Sequence, residues 1–196
     1  MKTNKQRIQT ITGIGLFSAA VVVLQFVSMS LRFTTFSITL TLIPIVVGAA
    51  IYGIGAGGWL GLVFGLAVLL TGDASAFMVI SFPGTIITVL AKGILAGVAS
   101  GLVFKLLEKK SRMAASIASA MICPIVNSGV FFLGCLTFFM DAIKEWALTD
   151  FGDNAVTYIL VVLIGFNFIL EFAINAIFSP TVTHVVNIGK KYFSAK

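Results

Sequence analysis

The sequence predicts an all-α integral membrane protein: a six-transmembrane-helix bundle with both termini in the cytoplasm. Three observations predict it. Hydrophobic residues make up 59% of the 196-residue chain and charged residues 10%, with a mean hydropathy of +1.10. Soluble domains carry about 25% charged residues. Apolar stretches follow one another along the whole chain, each near the roughly 20 residues that a crossing needs. The charges are also sorted. Lys2, Lys5 and Arg7 begin the chain, Lys105, Lys109, Lys110 and Arg112 share one central loop, and Lys190, Lys191 and Lys196 end it. Asp73, Asp141, Glu145, Asp150 and Asp153 fall in the other loops. Basic loops stay in the cytoplasm, so both termini and the 105–112 loop belong there and the number of spans is even. The net charge of +6 therefore reads as membrane topology and not as a nucleic-acid surface. Residues 1–196 are expected to form one membrane domain without a soluble domain.

Helix 1 is expected over Ile8–Ser30. Its long apolar run lacks a clear small-residue cleavage site, which favours a retained helix over a signal peptide. An outer loop, 31–37, carries Arg32, Thr34 and Thr35. Helix 2 covers Ile38–Tyr52 with Pro44 inside, and a Gly-rich turn follows at Gly53–Gly58. Helix 3 covers Trp59–Leu70. Residues 71–83 return on the outer side, and Pro83 suits the first turn of helix 4, Gly84–Leu107, where a missing N–H costs little. Helix 5 is expected over Met113–Phe139 with Pro124 inside. The acidic connection 140–154 is the longest. Helix 6 runs from Ala155 past Phe178, and Pro180 predicts a kink before the basic tail.

Small residues recur every fourth position in Ala49, Gly53, Gly57, Gly61 and Gly65, and again in Gly93, Gly97 and Gly101. Such rows let backbones approach closely in lipid, where the hydrophobic effect does not drive association. Packing within the bundle is their expected use. Gly15 and Ala19 form a shorter row on helix 1, as well suited to a separate membrane subunit.

Lys92 and Glu171 are the ionisable residues well inside the apolar stretches. A charge at the bilayer centre costs roughly 3 kcal/mol on insertion scales, so each needs a polar surrounding. Polar stripes supply one. Helix 4 places Thr85, Thr88 and Lys92 on one face. Helix 5 carries Ser116, Ser119, Cys123 and Asn127, with Ser128 beside the last. Helix 6 carries Asn167, Glu171, Asn175 and Ser179 at i, i+4, i+8 and i+12, a slowly drifting single face. All three stripes should point inward and could line one cavity. Thr85, Thr88, Lys92, Asn127 and Asn167 are the expected ligand contacts, with loops 31–37 and 71–82. Three readings of Lys92 and Glu171 stay open at this point: a mutual ion pair, ligand binding by at least one, or separate interactions for each.

Enzyme signatures are missing. His184 is the single histidine, and no HExxH, paired aspartates or P-loop occurs. Cys123 and Cys135 lie about 18 Å apart on one expected helix, too far to bridge. No catalytic residue, metal or cofactor is expected, and any ATP-driven role requires partners.

The order of these segments resembles a known family. LTLIPIVVGAAIYGIGAGGWLGLVFGL (Leu40–Leu66) is similar to the helix 2–turn–helix 3 region of the substrate-binding S components of energy-coupling factor (ECF) transporters, with Ile43–Pro44 and Gly53, Gly57, Gly61 and Gly65 in matching places. Pro83–Lys110 looks like the family's helix 4 and its basic end. IVNSGVFFLG (Ile125–Gly134) and FNFILEFAINAIFSPTV (Phe166–Val182) resemble its helix 5 and helix 6 patterns. The resemblance covers most of the chain and leans toward the pantothenate- and folate-type branch.

It implies a subunit that captures a water-soluble vitamin or related micronutrient outside a bacterial plasma membrane, under the loops after helices 1 and 3. Such a subunit then joins a membrane coupling subunit and two cytoplasmic ATPases and topples in the bilayer. The family's helix 1 often presents A-x-x-x-A to the coupling subunit, and Gly15 and Ala19 are the nearest match. Candidate substrate-binding residues are then Arg32, Thr34, Thr85, Thr88, Lys92, Asn127, Asn167 and Glu171. Arg32 and Lys92 would suit a carboxylate, and pantothenate is the first named ligand. The rival readings are a self-contained secondary transporter or channel coupled through Glu171, a small intramembrane enzyme, and a non-catalytic anchoring protein.

Overall fold

The computed structural model describes residues 4–30, 40–150 and 154–194. All of their regular structure is helical. The elements are α1 (Asn4–Ser30), α2 (Leu42–Tyr52), α3 (Ile54–Thr71), α4 (Ser75–Ile80), α5 (Phe82–Leu107), α6 (Arg112–Gly134), α7 (Met140–Asp150), α8 (Ala155–Tyr158) and α9 (Phe166–Ser194). One π-helical segment, Cys135–Phe139, joins α6 to α7, and another, Ile159–Gly165, joins α8 to α9. Among the described residues, five helical stretches are long and apolar enough to cross a membrane: Asn4–Ser30, Ile54–Thr71, Phe82–Leu107, Arg112–Thr149 and Ala155–Lys191. The eleven residues of α2 extend about 16 Å, roughly half a hydrocarbon core.

Local chemistry explains the ends. Pro44 occupies the first turn of α2, where its missing N–H has no intrahelical use. Gly53 alone separates α2 from α3, with φ +98, a conformation that L side chains rarely adopt. Gly72 closes α3 in the left-handed region at φ +73. The Ser81, Ser111 and Asn154 side chains accept from Gly84 N, Ala114 N and Val156 N and cap α5, α6 and α8.

The expected Gly53–Gly58 turn is thus a single residue, and α3 starts at Ile54 instead of Trp59. Gly57, Gly61 and Gly65 stand in the helix where they pack against α5. A Cβ on Gly57 would sit 2.3 Å from the Gly97 carbonyl oxygen, and one on Gly61 would sit 2.0 Å from that of Gly93. The two glycine rows face each other, and α3 and α5 run antiparallel in near backbone contact. On the other side of α5, Ser100 Oγ and Ser119 Oγ lie 2.8 Å apart. Ser100 Oγ also donates to Ser119 O at 3.2 Å, and Ser119 Oγ to Ser100 O at 2.8 Å.

The acidic connection is shorter than expected. Helix continues from Arg112 through the π-helical segment to Asp150. Residues 71–83, read as a return loop, contain α4. Pro124 and Pro180 both lie inside helices, and α9 runs on beyond Pro180 to Ser194.

The contacts define two ends of the bundle. At the Asp73 end, α1 finishes beside the start of α2, where Ser28 Oγ accepts from Leu40 N. At the basic end, Lys190 of α9 pairs with Glu108 and lies 4.6 Å from the Phe104 ring centroid.

Candidate ligand-binding cavity

A cavity of about 290 Å³ opens in the Asp73 half of the bundle, between α5, α6, the Ile159–Gly165 segment and α4. Thr85, Thr88 and Lys92 line it from α5, Asn127, Ser128 and Phe131 from α6, and Asn167 from α9. Thr85, Thr88, Lys92, Asn127 and Asn167 were each expected here from the polar stripes. Glu171, buried at 1% exposure, lies behind this lining. Its Oε2 accepts from Asn127 Nδ2 at 3.3 Å and its Oε1 from Asn167 Nδ2 at 2.9 Å. Arg32 and Thr34 lie outside the described residues.

Lys92 and Glu171 find different surroundings. Lys92 Nζ lies 5.7 Å from the ring centroid of Phe64 and 5.3 Å from that of Phe131, both within cation–π range. Among the described residues no ion pair joins it to Glu171. The two aromatic faces offset part of the cost of this ammonium in the membrane interior, and leave the group at the cavity wall.

Hydrogen bonding at the wall is incomplete. Thr88 Oγ1, Asn127 Oδ1 and Asn167 Oδ1 are buried and have no partner among the described residues. Buried polar atoms are nearly always paired in folded proteins, and an orphan marks a place where another group belongs. Ser116 Oγ and Asn175 Oδ1 are likewise buried without a partner among the described residues and lie away from the cavity, but three such atoms on residues lining one cavity suit a polar ligand.

An aromatic cluster packs along the α4 side of the cavity. Phe77 of α4 packs against Phe131, Phe139 and Trp146, with centroids 5.4, 5.0 and 5.9 Å away. Both π-helical segments reach the wall, through Phe139 and through Val162, Leu163 and Ile164. π-Helical turns widen a helix locally and are frequent at functional sites.

Sequence reasoning placed Asp73 only within the 71–82 segment expected at the site, and it missed Gln25. Asp73, also in the lining, accepts from Gln25 Nε2 at 3.4 Å, and Gln25 Oε1 accepts from Thr41 Oγ1 at 3.4 Å. Gln25 is 1% exposed. Its signal was available, because a long amide stands alone in the apolar second half of α1. The partner row behaves differently from the cavity. Gly15 and Ala19 are exposed, and a side chain added at Gly15 would meet nothing within 4 Å.

The family model described as "ECF transporter, substrate-specific component" matches residues 9–186. The chain belongs to this family. This ECF substrate-specific component is therefore a multi-pass membrane subunit of a transporter. A solved structure of ThiT from Listeria monocytogenes is similar in fold, with a TM-score of 0.59 at 20% sequence identity, covering 95% of this chain and 98% of that one. No curated protein matches the substrate-specific component.

Proposed function

We propose that this ECF component captures a water-soluble vitamin or related micronutrient in the cavity at the Asp73 end. The observation that carries the reading is a cavity wall with an ammonium and three unpaired polar atoms. Lys92 would receive an anionic group of the ligand, and Thr85, Thr88, Asn127 and Asn167 would receive its polar groups, with Arg32 and Thr34 completing the site. A carboxylate beside hydroxyl and amide groups fits this set, so pantothenate is the first named ligand. Family membership supports the partners: a membrane coupling subunit and two ATPases, in a bacterial plasma membrane. The charge asymmetry supports a six-span arrangement with both termini and the basic end in the cytoplasm, which turns the cavity outward. The exposed Gly15 and Ala19 suit the coupling subunit.

Thermal-shift measurements on the protein in nanodiscs, against a panel of B vitamins, test the reading. A vitamin that raises the melting temperature at sub-micromolar concentration supports it and names the substrate. A panel without a binder, together with flux through the protein alone in liposomes, overturns it in favour of a self-contained transporter.

A further inference from the structure

We propose that Glu171 is a positioning residue: it does not touch the ligand but sets which end of two asparagine amides faces it. The site thereby selects ligands that present a pair of N–H or O–H donors. The inference deepens the capture reading above and rests on it.

The geometry is asymmetric in a useful way. Each Glu171 oxygen receives one amide N–H, Oε2 from Asn127 on α6 and Oε1 from Asn167 on α9. A carboxylate only accepts, and an asparagine amide has a donating and an accepting end. Holding both Nδ2 groups against Glu171 therefore turns both Oδ1 atoms the other way. Those two oxygens are buried and unpaired among the described residues, and both side chains line the cavity. One buried anion thus converts two ambivalent side chains into two fixed acceptors on neighbouring helices. An acceptor-only ligand would leave both carbonyls unpaired and face lone pairs with lone pairs. Sites built to bond a donor reject analogues that lack it far more strongly than apolar pockets reject a missing methylene.

Glu171→Gln tests this without changing side-chain size. A glutamine offers one accepting and one donating end, so only one asparagine can keep its orientation. Affinity for a donor-bearing vitamin from the panel, pantothenate first, is expected to fall about tenfold or more. The melting temperature of the ligand-free variant, read alongside, separates a loss of affinity from a loss of folding. The positioning role has its own signature. With ¹⁵N-labelled asparagine, the side-chain amide resonances of residues 127 and 167, assigned by their loss in Asn127→Ala and Asn167→Ala, should be shifted downfield in the wild type. One of the two should move in Glu171→Gln.

Wild-type affinity together with unmoved amide resonances in Glu171→Gln would overturn the proposal. If no vitamin binds even the wild-type protein, the capture reading fails, and the resonances alone decide: one moved supports the orientation, none moved overturns it. Should Glu171→Gln not fold, Asn167→Ala takes its place. It should weaken binding and leave the Asn127 resonance shifted. Undiminished binding in that variant would overturn the proposal.

Discussion

The two flanks of α5 show opposite uses of the same helical spacing. One flank carries Gly93, Gly97 and Gly101 against α3. The other carries Thr85, Thr88 and Lys92 toward α6 and α9. At the glycine flank there is no space: a Cβ on Gly97 would lie 2.0 Å from the Gly57 carbonyl oxygen. At the polar flank there is a cavity of about 290 Å³, and the Thr88 hydroxyl has no partner among the described residues. The seam lets two backbones pack at close range, which in lipid is the main source of helix association. The cavity is where packing and hydrogen bonding stop short. One rigid helix thus anchors the bundle with one face and leaves unmet bonds on another, ready for a ligand.

Breaking the seam should have the largest effect. Gly61→Leu drives a branched side chain into the Gly93 carbonyl, and overpacking of this kind costs about 3 kcal/mol or more. Thermal unfolding in detergent should show a large drop in melting temperature or loss of the folded protein. A variant as stable as wild type would show that the α3–α5 contact does not hold the bundle.

The cavity flank should respond in the opposite sense. Lys92→Met is expected to weaken binding of an anionic vitamin by about 2 kcal/mol, the usual scale for a hydrogen bond to a charged group. Its stability should be unchanged or raised, since no carboxylate is left behind and an intramembrane charge is lost. Titration calorimetry and thermal unfolding on the same sample check both halves. A destabilised Lys92→Met that binds normally would make the lysine structural.

Ser100→Ala sharpens the boundary between the flanks. It removes the hydroxyl shared with Ser119 on α6, and about 1 kcal/mol of stability should go with it. Ligand affinity should stay put, because Ser100 lies below the cavity. A change in affinity would show that the clasp and the cavity are coupled.

Gly15→Leu should have the smallest effect on the isolated protein, within about 0.5 kcal/mol, as for other exposed positions. Ligand binding should remain intact. Co-purification with the coupling subunit should nevertheless be lost. Loss of folding instead would place Gly15 inside the bundle.

Much of this was legible along the chain. Apolar length marked the main helices, and fourfold spacing put Gly57, Gly61, Gly93 and Gly97 on packing faces. The expense of polar groups in lipid pointed Thr88, Asn127 and Asn167 inward. Other elements were hidden for identifiable reasons. Residues 140–150 look like a loop because Asp141, Lys144 and Glu145 depress hydropathy, yet Phe139, Ile143 and Ala147 recur at i, i+4 and i+8 and are buried. Gly57 and Gly58 read as turn residues by intrinsic propensity, and contact with α5 overrides that preference.

Composition and periodicity, acting through nearest neighbours on a helix and through the cost of charge in hydrocarbon, determined that this protein is a helical membrane bundle with an inward polar face. Whether Lys92 meets Glu171 or two phenyl rings was decided only by tertiary structure. So was the joining of Asn127 and Asn167 through one carboxylate. Helix spacing states which face a side chain occupies. What stands opposite depends on register and rotation between helices distant in sequence, and those follow from packing the whole bundle.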